Sequence, residues 1–380
     1  MSHFVGIGLV LAFLIPHTST ALYLVNPILC LFYQCFKLNK GFYKYNWIVL
    51  VPLFLTLLIN LPQGVSYKAV RSCVIILLYF ACFPMVGRVR IPNIYLYIIL
   101  LLILFSQLIY LFNLQYLIKL INIYYPFSER DFGEQYMQDN INANNFLSFR
   151  LGGIYRNSNQ CARYLTFLMA GFIILNREKS FKSLLPFILV SFFAVILTGS
   201  RTGFVVASLL MITYLFVDKR ISSLWKTVVG LAAFVAFIWL AISGSNTFRG
   251  FNVIEGFSNS ANVKMDTFAY YLSSEKSIFK LLMGYLDAAR FDKSGAIYFV
   301  LTNFDSDYGD IVFCYGFIGF IAILLYFITI FKKLKREMRV FFVLLLWMYS
   351  STVVTSYRAF FIFMLMLSVL YSSKDTYIQD

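Results

Sequence analysis

Along the chain, long apolar runs alternate with short polar breaks, and most runs are too long and too uniformly apolar for the half-polar helices of a water-soluble fold. They predict spans near residues 4–16, 21–36, 46–60, 66–86, 93–117, 160–176, 181–198, 201–217, 224–243, 306–331, 340–356 and 358–372. The opening stretch, SHFVGIGLVLAFLIPHTST, has the apolar character of a signal peptide and its run ends early, at Pro16. No Lys or Arg precedes that run and a second run follows at once, so the expectation is a retained span. Two connections are long, 118–158 and 244–305, and the rest are short.

Composition fixes the class. The chain is 60% hydrophobic and 13% charged, with a mean hydropathy of +0.76, far more apolar than soluble domains. At roughly 20 residues per spanning helix, a chain of 380 residues keeps most of its length in a bilayer and has no room for a separate soluble domain. The predicted fold class is an all-α integral membrane protein of about twelve helices, within roughly ten to thirteen, forming a single polytopic domain over 1–380. No internal repeat, low-complexity tract or flexible linker interrupts it.

Charge then sets orientation. The connections 37–45, 87–92, 177–182, 218–226 and 332–339 hold sixteen Lys and Arg against three acids, Glu178, Asp218 and Glu337. The alternate set, with both long loops, holds fifteen basic and twelve acidic residues. The positive-inside rule places the first set and both termini in the cytoplasm and the long loops outside. Trp47 and Trp225 then fall at the inner boundary and Trp239 near the outer one, where indole rings prefer to sit. The net charge of +15 would otherwise suggest nucleic acid, but thirteen of those charges are the cytoplasmic excess, where they set topology and meet anionic lipid. Nucleic acid is not an expected partner.

Cysteine and histidine exclude several chemistries. Cys30, Cys35, Cys73, Cys82, Cys161 and Cys314 show no CxxC spacing and lie in or beside spans, as small buried apolar side chains do. His3 and His17 are the only histidines, so no HExxH, His-Asp triad or histidine metal cage can be assembled in the outer loops. No metal and no cofactor are expected.

Three outer stretches carry candidate chemistry. The first is FRLGGIYRNSNQCARYL, residues 149–165, where Arg150, Arg156 and Arg163 recur among Gly152, Gly153, Asn157 and Asn159. Glycines permit close backbone approach, asparagines suit a turn or cap, and a helix starting here would aim N–H groups outward, all of which suits an anion. The same arginines also fit lipid anchors that snorkel to headgroups. The second is LTGSRTGF, residues 197–204, a short turn that fixes Arg201 at the outer boundary, with Thr198 or Ser200 able to cap the next helix and Gly199 and Gly203 spaced for close helix packing. Its arginine fits an interfacial anchor as well, but a turn this short favours a functional placement. The third is TNFDSDYGDIVFCYGFIGF, residues 302–320, where Asp305, Asp307 and Asp310 precede an apolar run. A helix N-terminus stabilises carboxylates, and a carboxylate there can also act as a general base or clamp sugar hydroxyls. Asp305-Ser306-Asp307 reads as DxD, a tripeptide that can hold a divalent ion but is common by chance.

In order and sidedness these stretches resemble the O-antigen polymerase and ligase superfamily of bacterial envelope glycosyltransferases. The likeness covers about residues 145–320 and rests on Arg150 with Gly153, Tyr155, Asn157, Asn159 and Ala162, then Thr198 to Gly203, then Asp305 to Asp310 with Tyr315, Gly316 and Gly319. Ser158 stands where the family carries proline, and Lys264 stands about where relatives carry arginine, ahead of the FKLLMGY element that ends at Gly284 and Tyr285. Ligases of the superfamily place a histidine eleven residues before the Gly-x-x-Gly element, and this chain has Asp305 there. The resemblance therefore implies a Wzy-type polymerase with a GT-C-like bundle in the inner membrane. It would act on undecaprenyl-pyrophosphate-linked oligosaccharide and polysaccharide, beside a chain-length regulator and a flippase of the same pathway.

Within that resemblance Arg156 and Arg201 would meet the pyrophosphate and Asp305 would deprotonate the acceptor hydroxyl, as the catalytic set. Arg150, Asn157, Asn159, Arg163 and Asp307 would line the substrate site, while Arg249, Lys264 and Arg290 would hold the moving chain or stand as ordinary solvated loop charges. Tyr124, Tyr125, Tyr136, Tyr155, Tyr270, Tyr271, Tyr285 and Tyr298 fit sugar stacking or the interfacial aromatic belt. The alternatives are an O-antigen ligase, opposed by the missing histidine, and a lipid-linked oligosaccharide flippase, opposed by the scarcity of charge within spans.

Overall fold

The computed structural model describes residues 2–14, 45–81, 91–124, 151–155, 158–176, 179–217, 277–286, 307–334, 336–350 and 357–371, with isolated positions 223, 226–227, 266, 268–269, 271–273 and 353–354. Among them every regular element is helical. In chain order the longer helices are α1 (Ser2–Leu14), α2 (Trp47–Asn60), α3 (Tyr67–Ala81), α4 (Asn93–Leu111) and α5 (Gln115–Tyr124). They continue with α6 (Ser158–Leu175), α7 (Phe181–Leu197), α8 (Arg201–Val217), α9 (Ile278–Met283), α10 (Asp307–Lys333) and α11 (Tyr357–Tyr371).

Two of these, α4 and α10, are long and apolar enough to cross a membrane. Their outward faces are apolar: Ile94, Leu101 and Phe105 on α4 are 56–58% exposed, and Ile321, Leu325 and Ile328 line the outside of α10. Polar side chains lie inside instead, with Asn60, Gln107, Arg163 and Asp307 fully buried. Such an inversion is costly in water and natural in lipid, where apolar side chains face the tails and polar ones turn to the protein interior. It is the arrangement of a helical membrane protein.

The chain divides into two compact units. In the first, α4, α6 and α7 pack against one another, α8 lies on α6 and α7, and α1 lies on α4. Phe172 stacks on Phe187 at 3.7 Å and Tyr97 meets both rings edge-on. At one end Asn93 and Asn176 exchange amide hydrogen bonds of 2.7 and 2.9 Å, joining the start of α4 to the end of α6. In the second unit α10 packs on α2 and α9, α2 on α3, and α3 on α11. Phe80 and Tyr79 of α3 fill that last contact, meeting Phe360 at 5.0 and 5.6 Å.

Several expected spans recur closely as helices, such as 181–198 and 201–217. Others are corrected. The run predicted as 93–117 stops at Leu111, where Asn113 takes φ 51°. Asn113 N–H donates to Tyr110 O and Leu114 N–H to Ile109 O, a left-handed helix stop after which α5 starts at Gln115. The run 306–331 is one helix in outline but bends at Gly316, φ 67°. The run 340–356 opens as a 3-10 helix, Arg336–Leu346, before the turn Trp347–Ser350. Helices α5 and α9 lie in the two stretches expected as loops. Spans 21–36 and nearly all of 224–243 lie outside the described residues.

Candidate functional site

In the first unit the sequence folds its first two candidate stretches onto one another. Helix α7 ends at Leu197; Thr198 turns its hydroxyl back to Val195 O at 2.6 Å, and Gly199 reverses the chain at φ 59°. Gly199 is therefore a turn residue and not, as its spacing suggested, part of a packing face. Ser200 caps α8: its Oγ accepts from Gly203 N–H at 3.2 Å while its carbonyl accepts from Phe204 N–H at 2.9 Å. The same Oγ donates to Asn159 Oδ1 at 2.8 Å, on the first turn of α6. Beneath that bond the helices nearly touch, because a Cβ on Gly203 would lie 2.5 Å from Ala162 Cβ.

Arg201 is the first residue of α8 and is half-buried. A cation in the first turn opposes the helix dipole, a cost of about 0.3–1 kcal/mol. An anion placed there would meet the dipole and the guanidinium together. Arg163 lies one turn beyond Asn159, fully buried, with its guanidinium carbon 5.2 Å from the Tyr164 ring. It does not reach outward as a lipid anchor.

The Gly-Gly segment is a docking device. Leu151 N–H donates to Leu197 O at 3.2 Å, Ile154 N–H to Ser106 Oγ at 3.2 Å and Tyr155 N–H to Gly152 O at 3.1 Å. Gln107 of α4 donates to Leu151 O and Ala194 O at 3.1 and 3.0 Å. Gly153 adopts φ 55° directly over Ser106 Oγ, where a Cβ would collide. Tyr155 is buried, its hydroxyl donating to Phe13 O at 2.9 Å and its ring 4.7 Å from Tyr164, so it is packing and not a sugar platform. The amide groups of Leu151, Ile154 and Tyr155 are thus turned onto the protein.

In the second unit the third stretch is anchored by Asp307. This fully buried carboxylate, at the start of α10, accepts through Oδ2 from the amides of Val353 and Val354, the latter at 2.7 Å. Further along, Gly284 (φ 73°) and Gly316 (φ 67°) let two backbones cross: Tyr285 N–H donates to Phe313 O at 2.9 Å and Leu286 N–H to Cys314 O at 2.8 Å. A Cβ on either glycine would enter the other segment's backbone. The Tyr285 ring is stacked on Phe313 at 5.4 Å and has Lys280 Nζ over it at 5.1 Å. Lys280 Nζ also donates to Asn60 Oδ1 at 3.1 Å and Gln63 Oε1 at 2.6 Å, and Asn60 Nδ2 donates to Thr56 O at 2.9 Å. Tyr271 is buried against Phe313.

Of the residues expected from sequence, Asn159 meets the turn that precedes Arg201, Arg163 lies one turn further along α6, and Asp307 holds its own position in the second unit. Arg150, Arg156, Asn157, Arg249, Lys264, Arg290 and Asp305 lie outside the described residues. Sequence reasoning missed Ser106, Gln107, Asn60 and Lys280; a lone amide inside an apolar run was the available signal for Gln107 and Asn60. Among the described residues no group of three His, Cys, Asp or Glu is placed to hold a metal ion. No protein-family model, no curated protein and no solved structure matches the chain.

Proposed function

We propose that the chain is a glycosyltransferase of the inner membrane, a Wzy-type polymerase that joins undecaprenyl-pyrophosphate-linked repeat units into a longer polysaccharide. About twelve spans with both termini cytoplasmic would put the long loops at the periplasmic face. The observation that carries the reading is the bond from Ser200 to Asn159, which joins two stretches 41 residues apart whose order prompted the resemblance.

The chemistry asks for what these stretches offer. An acceptor hydroxyl oxygen attacks the anomeric carbon of the donor chain, the bond from that carbon to the phosphate oxygen breaks, and undecaprenyl pyrophosphate leaves. Its developing charge needs fixed cations. A charge pair near 4 Å contributes about 4 kcal/mol at an effective dielectric near 20, before desolvation is subtracted. Arg201, held on the capped end of α8, supplies one such cation, and Arg156 a second. Asp305 takes the acceptor's proton, so an Asp305→Asn variant should fail to elongate.

Deleting the gene in its host and resolving surface and lipid-linked glycans by length tests the reading. A lost ladder with one repeat unit left on the acceptor supports it. Polymer stranded on undecaprenol would make the protein a ligase, and repeat units trapped inside the cell would make it a flippase.

A further inference from the structure

Helix α5 carries more apolar surface than the protein covers. At about 100° per residue, Leu117, Ile118 and Ile121 share one side of it and are half-buried. Tyr116, Leu120 and Ile123 form the adjoining arc and are 75%, 46% and 76% exposed. Gln115 and Lys119 occupy the remaining exposed arc. A helix of a loop bathed in water has no reason to show such an arc, whereas a helix lying in a bilayer interface needs all three sides: one on the protein, one in lipid, one in water.

The surroundings say what covers the exposed arc. The outer face of α4 carries a stripe of exposed apolar side chains, Ile94, Ile98, Leu101 and Phe105, and beyond the end of α4 Phe112 is 67% exposed. The left-handed stop at Asn113 then turns the chain within three residues, with Gln115 Nε2 donating to Asn113 Oδ1 at 2.5 Å. The stripe thus leads from a helix long enough to cross a membrane through the exposed Phe112 and Leu114 to Tyr116, Leu120 and Ile123. Lys119 sits beside that arc, where an ammonium on a long stem reaches lipid phosphate.

We propose that α5 and the turn before it lie in the membrane interface at the C-terminal end of α4, with Tyr116, Leu120 and Ile123 among the upper acyl chains and Lys119 at the phosphates. This rests on the membrane reading alone and is independent of the glycan chemistry. The test places single nitroxide labels at positions 101, 116, 119, 120 and 123 of the full chain. It uses a cysteine-free background that elutes as a single species, reconstituted in phosphatidylethanolamine and phosphatidylglycerol vesicles. Collisions with oxygen and with a water-soluble nickel chelate are then compared. The expected result is oxygen in excess of nickel at 116, 120 and 123, at a depth of about 5–10 Å, and nickel in excess at 119. Nickel access at all four α5 positions would put the helix in water and overturn the proposal. Loss of both reagents at 116, 120 and 123 would mean that protein, including a second copy of this chain, covers the arc, and would overturn it equally. Position 101 separates the failures: without deep oxygen access there, the membrane reading itself falls.

Discussion

Replacing Ser200 with alanine removes two bonds made by one oxygen, the cap on Gly203 N–H and the link to Asn159. Losing a cap costs about 1 kcal/mol, and losing a largely buried side-chain hydrogen bond costs about 1 kcal/mol more. For a folding unit of this size each kcal/mol lowers the melting midpoint by roughly 2–4 °C, so Ser200→Ala should lower it by roughly 4–8 °C. Asn159→Ala also removes the shared bond, which by itself accounts for roughly 2–4 °C. Because that bond is lost once in either background, the double variant should fall short of the sum of the two single shifts by roughly 2–4 °C. Unfolding can be followed in detergent with a thiol-reactive dye, since Cys73 and Cys161 are buried and Cys161 lies on α6 two residues past Asn159. Shifts that simply add in the double variant would refute the contact between the two stretches.

Three further outcomes follow from backbone geometry and burial. Gly316→Ala forces a side chain into a left-handed residue facing the carbonyl of Leu282, and should cost about 2–5 kcal/mol in sum. Gly8→Ala, with nothing within 4 Å of the added carbon, should leave the same melting midpoint unchanged or slightly raised. Asp307→Ala strips the acceptor from two buried amides, at about 1–3 kcal/mol each, so protein yield and melting midpoint should both fall, with Asp307→Asn recovering part of the loss through its remaining oxygen.

Helix positions were legible where a polar break coincided with a physical stop. The turn Thr198 to Ser200 carries its own cap and its own glycine, so 201–217 was readable from composition and capping chemistry alone. At Leu111 the apolar run continues through Phe112 and Leu114, and the stop depends on Asn113 taking a left-handed conformation that hydropathy does not register. The bend at Gly316 was hidden for a related reason: its cause is the Gly284 segment crossing it, a partner remote in sequence. The candidate site divides in the same way. Arg201 was legible because a short turn gives it little choice of position. Asp307 reads in sequence as a helix-start carboxylate that could meet substrate, but it is fully buried and its Oδ2 accepts from the amides of Val353 and Val354. Tyr155 and Tyr285 fit sugar stacking or an aromatic belt in sequence, because exposure of a ring cannot be inferred from its sequence neighbours when the residues against it, Phe13 and Tyr164 or Phe313 and Lys280, are remote or unremarkable there.

The central claim is elongation of a lipid-linked glycan with a charge contribution from Arg201. Purified full-length protein in vesicles, given its host's own undecaprenyl-pyrophosphate-linked repeat unit in radiolabelled form, should produce a ladder of longer products. Arg201→Ala, recovered as a folded single species, should elongate roughly 100- to 1000-fold more slowly. A folded wild-type protein that makes no ladder, or an Arg201→Ala variant that makes it at the wild-type rate, would contradict the account.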